Sequence, residues 1–310
     1  MKPISFIFFI LLGFTFAFNV ENQFKISDFA SASVAQVGDY LYFGTENAII
    51  EFDTKTDQET RRLDTSMELG FSSMVYIDED DDQPYIIFGG YGEALRLQPS
   101  TMNVMEAVDL EDSINVVLEY EYNAYFAGYC LWKAPVFYIA ALDIECGAET
   151  GDFGLLKGFV YGDSLYYTAS KPGTIFKYDP TDLSYVEINN LHDHWLFAAT
   201  AVGDYAYLGS WDSSKLLKFN LLTETVDASI NLASISYAST VFAVGNYLYV
   251  GDNHLTRVSL ADFTESKTLT LPGAQLFDYE IVGTHAYFAS YDQSPFVWKV
   301  NNIHLEVNYR

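Results

Sequence analysis

Basic residues are scarce in this sequence: 16 Lys and Arg stand against 42 Asp and Glu, a net charge of −26. A chain this acidic repels phosphate backbones, which excludes nucleic acid as a partner and disfavours anionic membrane surfaces. Cysteine is rarer still. Cys130 and Cys146 are the only two in 310 residues, so no dense disulfide framework holds the fold. Catalytic signatures are missing too: there is no His-Glu-x-x-His, Cys-x-x-Cys, Gly-x-Ser-x-Gly or phosphate loop. No Asn-x-Ser/Thr acceptor site occurs.

Long apolar runs are absent after the first residues. The exception, Ile4 to Phe16, follows a single Lys2 and is too short to span a bilayer comfortably. Thr15 and Ala17 are small residues placed for cleavage after Ala17. Residues 1–17 therefore read as a secretory signal peptide. The mature chain, 18–310, is expected to be secreted or held in the lumen of the secretory pathway, with no membrane insertion once the leader is removed.

What the sequence does hold is aromatic and repetitive. Half of it is hydrophobic, with 24 Tyr and 24 Phe, a composition that favours strands. One phrase recurs: Gly-Asp or Gly-Asn, an aromatic, an alternating apolar pair, then a small residue. It reads "GDYLYFGT" at 38, "GDSLYYTA" at 162, "GDYAYLGS" at 203, "GNYLYVGD" at 245 and "GTHAYFAS" at 283. Weaker copies, "QPYIIFGG" at 83 and "EYNAYFAG" at 121, fill the gap. The central residues are Tyr42, Ile87, Tyr125, Tyr166, Tyr207, Tyr249 and Tyr287, at intervals of 45, 38, 41, 41, 42 and 38. Seven copies of this length are expected for an all-β, seven-bladed β-propeller of four-stranded antiparallel blades, forming a single domain.

Each unit divides in the same way. A near-continuous apolar run reads as the innermost strand A, packed on both sides. Gly-Asp or Gly-Asn makes the A–B turn, where Gly tolerates positive φ. Strand B alternates, as in Tyr40, Tyr42 and Gly44 against Leu41 and Phe43. Strand C follows as "AIIEFD", "ALRLQ", "FYIAALD", "TIFKYD", "LLKFN", "LTRVSL" and "FVWKVN", and a more polar strand D forms the outer edge. An aromatic also recurs where strand A begins, at Phe29, Phe71, Phe153, Trp195, Tyr237 and Phe277, and is expected to pack between blades. Either terminus, "VENQFKIS" or "IHLEVNYR", could supply the last outer strand.

The repeat resembles the seven-bladed propellers of the YVTN and quinoprotein-like (PQQ-like) families, which are secreted and periplasmic. "DYLYFGTENAIIEFDTKT" carries the likeness: an apolar strand, a small residue, a variable loop, then a strand ending in Asp-x-x-Thr. Quinoprotein repeats place Gly after that Thr, where this chain has Asp57, Met102 and Glu224, and their docking Trp is missing. Cofactor-dependent dehydrogenase activity is therefore not implied. Gly89-Gly90 is distantly kelch-like, but occurs once.

On this topology the B–C and D–A loops share one face, and their variety marks it as the binding face. Two B–C loops pair an aromatic with an Asp: Trp211-Asp212 and Tyr291-Asp292. Trp195 and His194 precede blade five, and Asp252 and His254 follow strand B of blade six. Trp195, Trp211, Asp212, Asp252, His254, Tyr291 and Asp292 are thus a candidate rim, whose aromatic faces and carboxylates suit sugars or cationic groups. No catalytic residue and no cofactor is assigned. The run "DEDDD" offers weak calcium binding at Asp78, Asp80 and Asp82, but Gln83 and Gly89 stand where an EF-hand needs Gly and Glu. His192 and His194 lack the third ligand zinc requires.

The cysteines are expected to stay apart. With "FYIAALD" as strand C of blade three, Cys130 and Cys146 lie at opposite ends of it. That is about 20 Å at roughly 3.3 Å per residue, beyond the about 7 Å between Cα atoms that a disulfide spans. The expected function is a secreted, non-catalytic scaffold that binds an extracellular protein or carbohydrate on its variable-loop face. The alternative is a propeller hydrolase or lyase acting on a glycan at the channel mouth, where Glu119, Lys157, Asp278 and Glu280 are the ionisable residues of the inner strands.

Overall fold

The computed structural model describes residues 19–25, 31–45, 47–65, 74–77, 84–135, 139, 154–171, 173–189, 191, 195–272, 274–290 and 296–301. The predicted leader lies outside them. The described residues form seven antiparallel sheets. Blade one is β2 (Ser31–Val37), β3 (Tyr40–Thr45), β4 (Ala48–Asp53) and β5 (Gln58–Asp64). Blade two is β6 (Met74–Ile77), β7 (Tyr85–Gly89), β8 (Tyr91–Gln98) and β9 (Asn103–Ser113). Blade three shows β10 (Val116–Tyr120), β11 (Asn123–Ala127) and β12 (Leu131–Pro135). Blade four is β13 (Leu155–Tyr161), β14 (Ser164–Ala169), β15 (Ile175–Tyr178) and β16 (Tyr185–Ile188). Blade five is β17 (Leu196–Val202), β18 (Tyr205–Ser210), β19 (Lys215–Asn220) and β20 (Thr225–Asn231). Blade six is β21 (Thr240–Val244), β22 (Tyr247–Gly251), β23 (His254–Ser259) and β24 (Glu265–Thr270). Blade seven is β25 (Leu276–Val282), β26 (His285–Ser290) and β27 (Phe296–Asn301), completed by β1 (Asn19–Lys25).

The first strands of successive blades touch in an unbroken cycle, β2, β6, β10, β13, β17, β21, β25 and back to β2. That cycle is the wall of a central channel, and the fold is a seven-bladed β-propeller. The ring closes through the N-terminus: β1 runs antiparallel to β27, with Phe24 opposite Val297 and Gln23 opposite Trp298.

Seven apolar cores lie between the blades, one per junction. Between blades one and two, Tyr42 and Ile49 meet Ile86, Phe88 and Leu95. Between blades seven and one, Leu41, Phe43 and Phe52 meet Tyr287 and Val297. The alternation in strand B thus sends Tyr42 to one neighbour and Leu41 and Phe43 to the other. Burial refines the expectation for the inner strands. Strand B is the one buried on both faces, whereas β13, β17 and β25 are largely half-exposed because one face lines the channel. Strand B comes so close to the next blade that a Cβ on Gly89 would lie 2.3 Å from Ile114 Cγ2, which explains the small residue that ends the repeated phrase.

The A–B turns behave as expected in five blades, where Gly38, Gly162, Gly203, Gly245 and Gly283 have φ between 56° and 61°. A single Gly with positive φ at the first turn position fits a II′ hairpin, whose twist matches the strands. The C–D turns use positive φ without glycine, at Asp57, Met102, Leu183, Glu224 and Phe263. Four of these side chains reach back to the preceding blade. Lys299 of blade seven pairs with Asp57 at 2.8 Å, and Lys177 of blade four with Glu224 at 2.8 Å. Phe263 packs on Tyr207 of blade five, with centroids 6.0 Å apart, and Met102 enters the core between blades one and two.

The cations in these latches follow a register. Each central residue of strand B faces a charged residue of strand C: Tyr42 opposite Glu51, Ile87 opposite Arg96, and Tyr125 opposite Lys133. The remaining pairs are Tyr166 with Lys177, Tyr207 with Lys218, Tyr249 with Arg257 and Tyr287 with Lys299. In six blades that cation sits over a strand-B tyrosine ring, at 4.1–5.6 Å from its centroid.

Blade three corrects two expectations. Its strand C is "LWKAP", not "FYIAALD", and Ile139 from the latter packs in the core between blades two and three. Cys130 therefore directly precedes strand C, and the segment carrying Cys146 follows that strand instead of ending it. The separation argued from strand length no longer applies, and Cys130 is disulfide-bonded. The chain's other cysteine, Cys146, lies outside the described residues. Cys130→Ser should cost about 3 kcal/mol, the usual cost of opening a short disulfide loop. Melting with and without reductant checks this: coincident curves for the native and substituted proteins would contradict it.

Candidate functional site

β-Bulges open the inner strands toward the mouth of the channel on the B–C/D–A face. They fall at Ser31/Ser33, Leu155/Gly158, Leu196/Ala198 and Leu276/Asp278. A bulge re-aims the extra side chain. Here the residues so placed include Lys157, Phe197 and Phe277, and all three line one cavity of about 460 Å³. Tyr91, which opens β8 of blade two, and Tyr129, from the B–C loop of blade three, complete its aromatic wall, and Ser113, Asn115 and Ser170 supply polar groups. Tyr91 and Tyr129 are 66% and 51% exposed, so their rings are available to a ligand.

The wall continues into blades five to seven as an aromatic cluster. Trp211 lies 4.5 Å from Phe197, 4.6 Å from Tyr237 and 6.2 Å from Phe277, centroid to centroid. Tyr237 and Phe277, expected between blades, instead join this cluster at the mouth. Trp195 is 47% exposed, and its carbonyl accepts from the Trp211 amide at 2.8 Å.

Beneath the mouth a second cavity of about 160 Å³ is bounded by Lys157, Asp278 and Tyr279 on the inner strands. Asp278 accepts from the amides of Val34 and Tyr279 at 3.1 and 3.0 Å. Its carboxyl is nevertheless raised, because burial outweighs those bonds and the attraction of Lys157. Glu280, two residues along β25, is pushed up to about 7 by burial and then by Asp278.

The residues singled out from sequence divide by position. Trp195 and Trp211 stand beside the cavity. Asp212 accepts from the Ser210 hydroxyl at 2.6 Å, within its own loop. Asp252 is fully buried and accepts from the amides of His254 and Ser236 at 2.7 and 3.0 Å, fixing the B–C turn to the D–A loop. His254 Nδ1 lies 2.6 Å from Asn253 Oδ1. Tyr291, Asp292, His192 and His194 lie outside the described residues, as do Asp78, Asp80 and Asp82. Among the described residues no cluster of three His, Cys, Asp or Glu could hold a metal ion.

Tyr91, Tyr129 and Lys157 were not in the rim read from sequence. A signal for the tyrosines was present: the residue four after each central position is Tyr91, Tyr129, Trp211 or Tyr291 in four blades.

Fold and mouth together define a propeller with an aromatic-walled cavity on its variable-loop face. No protein-family model and no curated protein matches the chain. Among solved structures the fold is common, with 1505 matching chains. One is the computationally designed Ika8 protein, with a TM-score of 0.63 and 11% identity over 89% of this chain and 97% of that one. At this identity the likeness shows the fold and nothing about function.

Proposed function

We propose that this protein is an exported binding propeller that takes a carbohydrate at the channel mouth. The cavity carries the reading: it is concave, of ligand size, walled by Tyr91, Tyr129, Phe197 and Phe277, and dotted with small polar groups. Such a site suits a sugar, whose apolar face stacks on rings while its hydroxyls bond to polar neighbours. A concave mouth favours a glycan over a flat protein surface. The disulfide at Cys130 supports an oxidising compartment, in keeping with the leader-like residues 1–17.

The mature chain should bind oligosaccharides on a glycan array. Tyr91→Ala and Tyr129→Ala should each weaken the strongest hit about five- to tenfold, the value of roughly 1 kcal/mol of ring contact. Unchanged affinity in both variants would remove the cavity as the site. The second reading, a glycan hydrolase or lyase, draws support from Asp278 and Glu280 on one strand of the channel wall, since a raised carboxyl is what a general acid needs. Chain shortening of the bound oligosaccharide would favour it; the binding reading expects the oligosaccharide to be recovered intact.

A further inference from the structure

Lys157 stands out among the cations of this chain. Every other described Lys and Arg has a hydrogen bond, ion pair or ring contact. The Lys157 ammonium has no hydrogen bond or ion pair among the described residues. In a protein with 42 acidic and 16 basic side chains, this ammonium is attracted by Asp278 without pairing with it, and it lines the mouth cavity.

Its placement is built. The bulge between Leu155 and Gly158 sets Leu156 and Lys157 opposite the single residue Thr168. The Thr168 hydroxyl accepts from the Lys157 amide and donates to the Lys157 carbonyl, both at 3.2 Å. Thr168 is fully buried. At its position in the repeat, two after the central residue, the other six blades carry Gly44, Gly89, Ala127, Gly209, Gly251 and Ala289. Blade four alone has a hydroxyl there, and it is spent on the backbone of Lys157.

Asp278, which attracts Lys157, borders the lower cavity and not the mouth. No Asp or Glu lines the mouth cavity among the described residues. Asp278 lies below, tied to the backbone of blade one through Val34. The strongly negative surface does not prevent an anion from binding here, since fields beyond about 8 Å are screened at physiological salt.

We infer that the mouth selects a sugar bearing a carboxylate, a uronate residue whose acid group meets Lys157 while its ring lies on the tyrosines. This deepens the carbohydrate reading and rests on it. An ammonium is a compact charge with three donors, suited to a carboxylate that arrives with its own orientation set by ring stacking.

The test is titration calorimetry of the mature chain with a galacturonate oligomer, a neutral galactose oligomer of equal length, and a sulfated one. The galacturonate oligomer should bind at least tenfold more tightly than the neutral one. Lys157→Gln should lower the galacturonate affinity at least tenfold and so erase that preference. Thr168→Val, nearly isosteric, should reduce the preference while the protein melts cooperatively, which separates placement of the lysine from folding. Equal binding of acidic and neutral oligomers, with Lys157→Gln silent and Tyr129→Ala weakening both, would overturn this inference and leave the carbohydrate reading standing. Binding of the sulfated oligomer alone would overturn the choice of carboxylate. Binding of none of the three would overturn the inference and the reading beneath it.

Discussion

A chain lacking residues 19–25 should fail to fold cooperatively. β1 is the outer strand of blade seven, and three kinds of contact go with it. Phe24 packs on Phe52 of blade one at 5.3 Å, and Val20 rests against the core between blades six and seven. Glu21 accepts from His285 at 2.8 Å and pairs with Lys299 at 3.4 Å. The antiparallel ladder to β27 is the third. Losing two largely apolar contacts and the ladder should cost about 5 kcal/mol, a large part of the 5–15 kcal/mol that holds a domain together. The deletion also bares β27, "FVWKVN", as an apolar edge, which invites aggregation. Thermal melting and light scattering read both effects. A deleted protein that stays monomeric with a native melting point would show that β1 is dispensable to the ring.

Arg61→Ala should destabilise the protein by about 3 kcal/mol at neutral pH and by less at pH 4. Blade one reverses the charge register of the others. Glu51 takes the cation's place and is buried at 2% exposure. Tyr42 and Thr60 donate to it at 2.7 and 2.6 Å, and Arg61 Nε at 2.7 Å. Burial raises the Glu51 carboxyl, but the bonds from Arg61, Thr60 and Tyr42 outweigh it and hold the group below its ordinary value. Arg61 also bonds the carbonyls of Pro99 and Ser100 at 2.7 and 2.9 Å, so it joins blade one to blade two. Removing it strands a buried carboxylate, a change that typically costs 3–5 kcal/mol. Arg61 is partly solvent-reached, which places the expectation at the lower end. The native pair contributes stability that is fully present above an unfolded Glu value of about 4.3, and is lost as pH falls through the lower folded value. In the variant, burial without Arg61 raises the carboxyl, so acid protonates it and narrows the gap. Denaturant melts at pH 7 and pH 4 measure the difference; an equal loss at both would mean Arg61 acts through packing alone.

Much of this architecture was legible because each blade repeats one packing problem. Spacing alone located the central residues Tyr42 to Tyr287, and the Gly-Asp turns followed from the need for positive φ. Ring closure was not legible, since "VENQFKIS" and "IHLEVNYR" both alternate well enough to be an edge strand. In blade three, "FYIAALD" looks more strand-like than "LWKAP", and pairing with β11 overrode propensity. The strand-C cations were visible as letters, but their register against the tyrosines depends on knowing where strand C begins. The Asp-bearing loops of blades five to seven draw the eye as a rim because carboxylates beside aromatics resemble a site. Asp252 shows why that pattern misleads, since Asp also fixes turns by accepting from its own backbone. The channel-facing Lys157, Phe197 and Phe277 depend on bulges, which periodicity cannot reveal.

Those bulges divide the labour of the chain. A bulged residue and the residue four after the central position reach the mouth, while the seven cores between blades are built from other positions. Recognition and folding are therefore written in separate letters of each repeat. An engineer, or selection, can rewrite Tyr91, Tyr129, Lys157 or Phe197 one blade at a time without reopening the question of whether the ring will close.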